Sequence, residues 1–272
     1  MEYPIFKSKE EKLAHLVKNQ DRIIAAKKAA IKFADACNFG AFTFEKDQFA
    51  EKANKPVTGD MTEIKVKAVI NTTNLMDSHD DVHIPGLWKK SLRENKGIWH
   101  DQEHLHKFDS TISDYDDLKA YTETMTWKDL GLKFEGETEA LIFESQVKQD
   151  RNEFMFGQYK AGHVKNHSVG MQYVKLLLAV NDKNFKDEFA NWNKYIDQVA
   201  NKEDAESLGY FWAVTEAKII EGSAVKRGSN WATPTLENNM KSEPVEATPE
   251  PLKSTQLTSD EIIKRITNHF NN

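Results

Sequence analysis

The side chains able to do chemistry are unevenly spread along this chain. Five of its nine histidines fall between positions 79 and 106: His79, His83, His100, His104 and His106. Beside Asp77, Asp80, Asp81 and Asp101 they form a donor set of the kind zinc or iron uses. No HExxH stands among them, and the Asp-rich run DSHDDVH reads as a turn before Pro85 and Gly86. The other chemistry open to an imidazole is nucleophilic catalysis, in which it takes the proton of a serine hydroxyl while a third group orients the ring. Ser168, in Asn166-His167-Ser168-Val169-Gly170-Met171, is the candidate serine, since a small residue and an apolar strand follow it at once. A purely structural serine at the start of a strand is the plain alternative.

Elements must bring such residues together. Ile64, Val66, Ala68 and Ile70 alternate with Lys65 and Lys67, the period of a half-buried strand. Further strands are expected over 107–114, 120–127, 132–136, 169–178 and 212–220. Helices are expected over 87–94, 140–162 and 185–205, the last placing Phe185, Phe189, Trp192, Ile196 and Val199 at three- and four-residue steps. The body from 58 to 237 therefore reads as α+β. Ahead of it, residues 1–57 form a helical extension whose basic amphipathic helix over 7–35 carries Leu13, Leu16, Val17, Ile24 and Ile31. That helix either packs on its own domain or docks on another molecule. Behind the body, residues 238–258 read as a flexible Pro-rich linker, and 259–272 as a short helix with Ile262, Ile263, Ile266 and Phe270 on one face.

Composition narrows the classes. With 39% apolar and 29% charged residues in 272, the chain can bury a core. A net charge of −6 argues against a general nucleic-acid coat, and the single cysteine, Cys37, excludes an internal disulfide framework or a Cys-rich zinc module. No apolar run approaches the roughly 20 residues of a membrane-spanning helix. The start MEYPIFKSKEEK lacks a signal-peptide core, so a cytoplasmic protein is expected.

Several short motifs follow one another in a set order. Asn74-Leu75-Met76-Asp77-Ser78-His79-Asp80-Asp81-Val82-His83-Ile84-Pro85-Gly86-Leu87 leads into a helix. A His-rich segment ending in a strand follows, then Ser168-Val169-Gly170, then Glu221-Gly222-Ser223-Ala224-Val225 with Ser229-Asn230 behind it. Over residues 64–236 this order resembles the tailed-phage prohead maturation serine proteases, relatives of the herpesvirus assemblins. The chain departs from that pattern at His167, where the family has Leu or Ile, at Ser113 in place of a glycine, and in an inserted helical stretch at 182–207.

The resemblance implies an α+β, mainly antiparallel β-barrel-like core surrounded by helices, and a serine endopeptidase without cofactor or metal. It implies Ser168 as nucleophile, His104 as base with His106 as the alternative and His100 behind both, and Glu221 as the orienting third member. In the assemblins a second histidine holds that third place, so a His–His arrangement stands beside it. Oxyanion donors are expected from backbone N–H groups of the 222–228 loop, with Gly222, Lys226, Arg227 and Gly228. The implied substrates are scaffold segments, the major capsid protein and the protease itself. The implied setting is the immature capsid in the host cytoplasm, with self-association and with no membrane or specific nucleic acid as partner. Two other classes remain open: a non-enzymatic capsid assembly or scaffold protein derived from a protease fold, and a metal-dependent hydrolase built on the 79–106 histidines.

Overall fold

The computed structural model describes residues 6–32 and 61–239. Most of the expected linker, the helix expected at 259–272, and residues 33–57 of the extension lie outside this range. The described residues form an α+β body with two sheets. The first has the order β1-β8-β9-β4-β5, from β1 (Ile31–Lys32), β8 (Asn166–Val180), β9 (Tyr210–Val225), β4 (Trp99–Gln102) and β5 (Thr111–Ser113). A further short strand, β3 (Asp81–His83), also pairs with β9. Strands β3 and β4 run parallel to β9; β8 runs antiparallel to it. The second sheet, β10-β2-β7-β6, is antiparallel throughout, from β2 (Glu63–Thr72), β6 (Leu118–Thr126), β7 (Glu137–Lys148) and β10 (Thr235–Asn239).

The main core lies between the sheets. Val66, Ala68, Ile70, Leu141, Phe143 and Val147 from the second meet Val169, Met171, Ile219 and Ala224 from the first. The sheets are also tied at two margins. At one, Pro234 O accepts from Val69 N of β2 while Thr233 O accepts from His167 N of β8. At the other, Ser113 Oγ donates to Gln146 O at 2.6 Å.

Residues 140–148, expected to be helical, are strand β7. The strand is buried on both sides, with Leu141, Phe143 and Val147 in the main core and Ala140 and Ile142 in a second cluster with Trp127 and Leu130. Two buried faces erase the polar alternation that marks a strand. Helix resumes only where Asn152 Oδ1 accepts from Met155 N, capping Glu153–Lys160. Residues 132–136, expected as a strand, are a loop; its Phe134 packs against Trp127 and Trp231. Of the strand expected at 107–114, only β5 forms, after a 3-10 turn at Phe108–Ser110.

The expected N-terminal helix is two helices, α1 (Lys9–Lys18) and α2 (Gln20–Ala29), separated at Asn19, whose side chain donates to His15 O. Leu13 is buried, and Leu16, Val17, Ile23 and Ile24 rest on the main core, so this part of the extension belongs to the body. Ile31 is off the helix, exposed on β1. The stretch 182–207 holds Lys186–Tyr195 and Lys202–Leu208, helices inserted between β8 and β9, with Trp192, Tyr195, Ile196 and Val199 against Phe211 and Ala213. Asn238 and Asn239, expected to open the linker, still pair with Val66 and Lys65 of β2.

Candidate active site

Strand register builds the candidate site. In the antiparallel β8–β9 pair, Ser168 lies opposite Ser223 and Gly170 opposite Glu221. Opposed residues, and residues two apart, share a face of a sheet. Ser168, Gly170, Glu221 and Ser223 therefore stand together on the face turned away from the second sheet. His167, Gly222 and Ala224 point the other way, into the core. Gly222 marks that side: a β-carbon there would meet Phe143 Cε2 at 2.4 Å. Gly170 has a different reason. A β-carbon on it would lie 2.0 Å from Glu221 Oε1, so the carboxylate occupies the space the missing side chain leaves.

That carboxylate is held from two sides. His104 Nδ1 lies 2.6 Å from Glu221 Oε1, and Ser223 Oγ donates to Glu221 Oε2 at 2.6 Å. His104 comes from the loop after β4, whose Asp101 sits beside Ser223. The loop is fastened to β9, since Glu103 N donates to Ala224 O and His104 N donates to Ser223 Oγ at 3.1 Å. Glu103, His104 and His106 all have positive φ, at 51°, 57° and 31°. Side-chain-bearing residues enter this left-handed region at a cost, and such residues gather where the surrounding structure over-determines them. An ionised Glu221 accepts the Nδ1 proton, which fixes the tautomer whose Nε2 is a proton acceptor.

The other candidate bases go elsewhere. His106 Nδ1 lies 3.4 Å from Asp101 Oδ2, and its ring is half-exposed. Asp101 has its carboxyl pushed above the usual range, first by burial and then by the charge of Glu221, with bonds from Thr111 and His106 acting in the opposite sense. His100 faces the core. Its Nδ1 is 2.8 Å from Ser145 Oγ of the second sheet, and its Nε2 is 3.2 Å from Tyr159 Oη, which is 3.0 Å from His167 Nε2. His167 Nδ1 then faces Thr233 O at 3.4 Å. A carbonyl can only accept, so the proton order is fixed from that end: His167 Nδ1–H to Thr233, Tyr159 O–H to His167, His100 Nε2–H to Tyr159, and Ser145 O–H to His100. Both imidazoles are neutral in this chain of bonds. Burial holds His100 well below its ordinary range, with His167 adding to the effect, and pushes His167 down to about 4.

The histidines thus have separate surroundings. His83 Nδ1 meets the Asn71 side chain, and among the described residues no group of three or more His, Cys, Asp or Glu is placed to hold a metal ion. Of the expected oxyanion segment, Gly222 is within β9 and faces the core, whereas Gly228 crosses the β8 backbone. A β-carbon at Gly228 would lie 2.9 Å from His167 O and 3.4 Å from Ser168 Cβ. Lys226 and Arg227 are exposed.

No family model, curated protein or solved structure matches this chain. Its chemistry has to be argued from the geometry. An imidazole bound to a carboxylate stands on the same sheet face as Ser168, which is itself buried. Ser168 makes no side-chain hydrogen bond among the described residues, so the direct serine–imidazole bond expected of a working pair is not made here. Catalytic hydrogen bonds of this kind are often long before substrate binds. Sequence reasoning passed over Ser223, which links Glu221 to the His104 backbone, and Asp101 as the partner of His106. The E-x-S spacing held the signal for Ser223, because residues two apart on a strand share a face.

Proposed function

We propose that this chain is a serine endopeptidase of the prohead-protease type, with Ser168 as nucleophile, His104 as general base and Glu221 as the residue that orients it. The observation that carries the reading is the 2.6 Å contact between His104 Nδ1 and Glu221 Oε1, on the Ser168 face and in the space left by Gly170. In the mechanism, Ser168 Oγ attacks the scissile carbonyl carbon as its proton passes to His104 Nε2. The imidazolium is stabilised by Glu221, and it returns the proton to the leaving nitrogen as the C–N bond breaks. Water then attacks the acyl ester by the same route, freeing a carboxylate and restoring Ser168. The Gly228 segment, which passes within van der Waals distance of Ser168, is the proposed source of backbone donors for the oxyanion.

On this reading the two sheets, tied at both margins, form the barrel-like core of an assemblin-type fold. The substrates are scaffold and capsid protein segments and the chain itself, inside the immature capsid in the host cytoplasm. Treatment with diisopropyl fluorophosphate, followed by peptide mass mapping, tests the chemistry. One equivalent of label is expected on Ser168, lost in Ser168→Ala and slowed about 100-fold or more in His104→Ala. Label on another serine, or none on a folded protein, would overturn the assignment.

A further inference from the structure

Strand β6 lies at one side of the second sheet, paired with β7 alone. Its residues, Leu118–Thr126, meet Ser145 to Glu137 in unbroken register, whereas the β10–β2, β2–β7 and β8–β9 pairs all carry register shifts. None of these residues is buried, and Lys119 and Thr124 are exposed. Among the described residues, no strand pairs with the outer edge of β6. The strand also holds no proline and no bulge, two of the devices by which sheets close such an edge.

The direction of the backbone groups follows from the ladder. Gln146 N donates to Asp117 O at one end and Trp127 N donates to Gly136 O at the other. Odd-numbered residues therefore turn their N–H and C=O groups toward β7, and Leu118, Ala120, Thr122 and Thr124 turn theirs outward. Thr126 is closed off by its own turn: its N–H donates to Asp129 Oδ2, and its carbonyl accepts from Asp129 N. The open edge is thus 118–124, with Tyr121 at its midpoint.

A second copy related by a two-fold axis can extend this edge antiparallel, and the charges choose the register. Opposite charges on facing strands are favourable, and like charges directly opposed are not. With the axis at Ala120, Asp117 would oppose the partner's Glu123; with the axis at Glu123, that carboxylate would oppose its own copy. An axis at Thr122 sets Lys119 against Met125. Only the axis at Tyr121 sets Lys119 directly opposite the partner's Glu123, once on each side. The same register pairs 118 with 124 and 120 with 122 through their outward groups and makes no demand on Thr126. Lys119 Nζ stands 5.1 Å from the Tyr121 ring centroid. Glu123 holds Lys67 through Oε2 at 2.8 Å, and its other oxygen can accept from the partner's Lys119.

We propose that the outer edge of β6 is a dimer interface for a second copy of this chain, paired antiparallel about a two-fold axis at Tyr121. The two four-stranded sheets then become one continuous sheet with a self-complementary seam. This goes beyond the endopeptidase reading and does not depend on it.

Sedimentation velocity of the full chain at stepped concentrations is expected to show a monomer–dimer equilibrium. Lys119→Glu and Glu123→Lys each set like charges against one another and should weaken the dimer about 10-fold or more. Mixed in equal amounts, the two variants regain opposite charges at both contacts, and a heterodimer should form as tightly as the unaltered dimer. Thr122→Pro removes an outward N–H without touching the β7 ladder and should leave a monomer. If a charge variant fails to fold by circular dichroism, Tyr121→Cys in a Cys37→Ser chain serves instead. Oxidised glutathione should link its copies through residue 121, and adding Thr122→Pro should abolish the link. A chain that stays monomeric throughout, a dimer that survives Thr122→Pro, or folded charge variants that do not pair with each other overturns the proposal.

Discussion

At Gly170 the outer face of β8 has room for a hydrogen and not for a methyl group. Its hydrogen leaves the room that Glu221 fills, so Gly170→Ala is expected to push the carboxylate off His104. Overpacking of this kind costs about 1–3 kcal/mol, and the rate of Ser168 acylation should fall far more than the stability does. Comparing urea unfolding with labelling kinetics checks both. Glu221→Gln keeps the shape but offers an amide to Nδ1, and a loss of roughly 10³–10⁴-fold in peptide hydrolysis is expected from the wrong tautomer. The S-x-G spacing was legible in the sequence, and His104 and Glu221, expected there as partners, lie 2.6 Å apart. The reason for the glycine was not legible, because it depends on which β9 residue lies opposite. The spacing favoured His104 without fixing which of His100, His104 and His106 meets Glu221, since three closely spaced histidines on a strand and loop differ only in the direction they face. The core-facing pair makes its own prediction. The unfolded chain takes up protons on His100 and His167 below about pH 6.5, while the folded chain keeps them neutral, His167 down to about 4. Unfolding free energy should be insensitive to these groups above pH 6.5 and fall as pH drops toward 4, by on the order of 3 kcal/mol for His167 alone. Urea titrations at stepped pH should show that slope, and His167→Gln should flatten it.

Strand β7 is the element whose period was most misleading and whose packing is most demanding. Read as a helix, ALIFESQVK has enough apolar residues for any face; in the fold, both of its faces are covered. The same cause hid the loop at 132–136, where Leu132 and Phe134 are apolar because they pack beside Trp127 and not because they belong to a ladder. Strands β2, β6, β8 and β9 were legible, since each keeps a β-branched or aromatic run between turn residues. Phe143 is fully buried, and its ring fills the place of a Gly222 side chain. Phe143→Ala is expected to cost about 3–5 kcal/mol and Gly222→Ala about 1–3 kcal/mol. The two should not add: Phe143→Leu combined with Gly222→Ala should be less destabilised than the sum of its singles, a coupling that a double-mutant cycle in urea measures. Additive costs would mean that the sheets do not meet at this point.

For the molecule as a whole, the α+β class was readable from composition and turns, and β10 runs two residues past the boundary expected at 237. The share of the N-terminal extension that joins the body was not, because a helix with a thin apolar stripe looks the same whether it packs at home or abroad. A chain ending after Asn239 is expected to retain folding and hydrolysis of short peptides. One ending before Thr233 should lose both, since it removes β10 and the Thr233 hydroxyl that donates to His167 O at 2.6 Å. Circular dichroism and labelling of Ser168 on the two truncations distinguish these outcomes. The 233–235 segment also couples the two sheets when the body unfolds. Its backbone is shared, Pro234 with β2 and Thr233 with β8, and the buried Ser145–His100–Tyr159–His167 chain crosses the same gap. Neither sheet can open while the other stays intact without orphaning hydrogen-bonding groups that water does not reach. Scanning calorimetry should therefore give a single heat-absorption peak with equal calorimetric and van't Hoff enthalpies. The slowest-exchanging amides of β2 and β8 should report one common opening free energy, as members of a single cooperative unit.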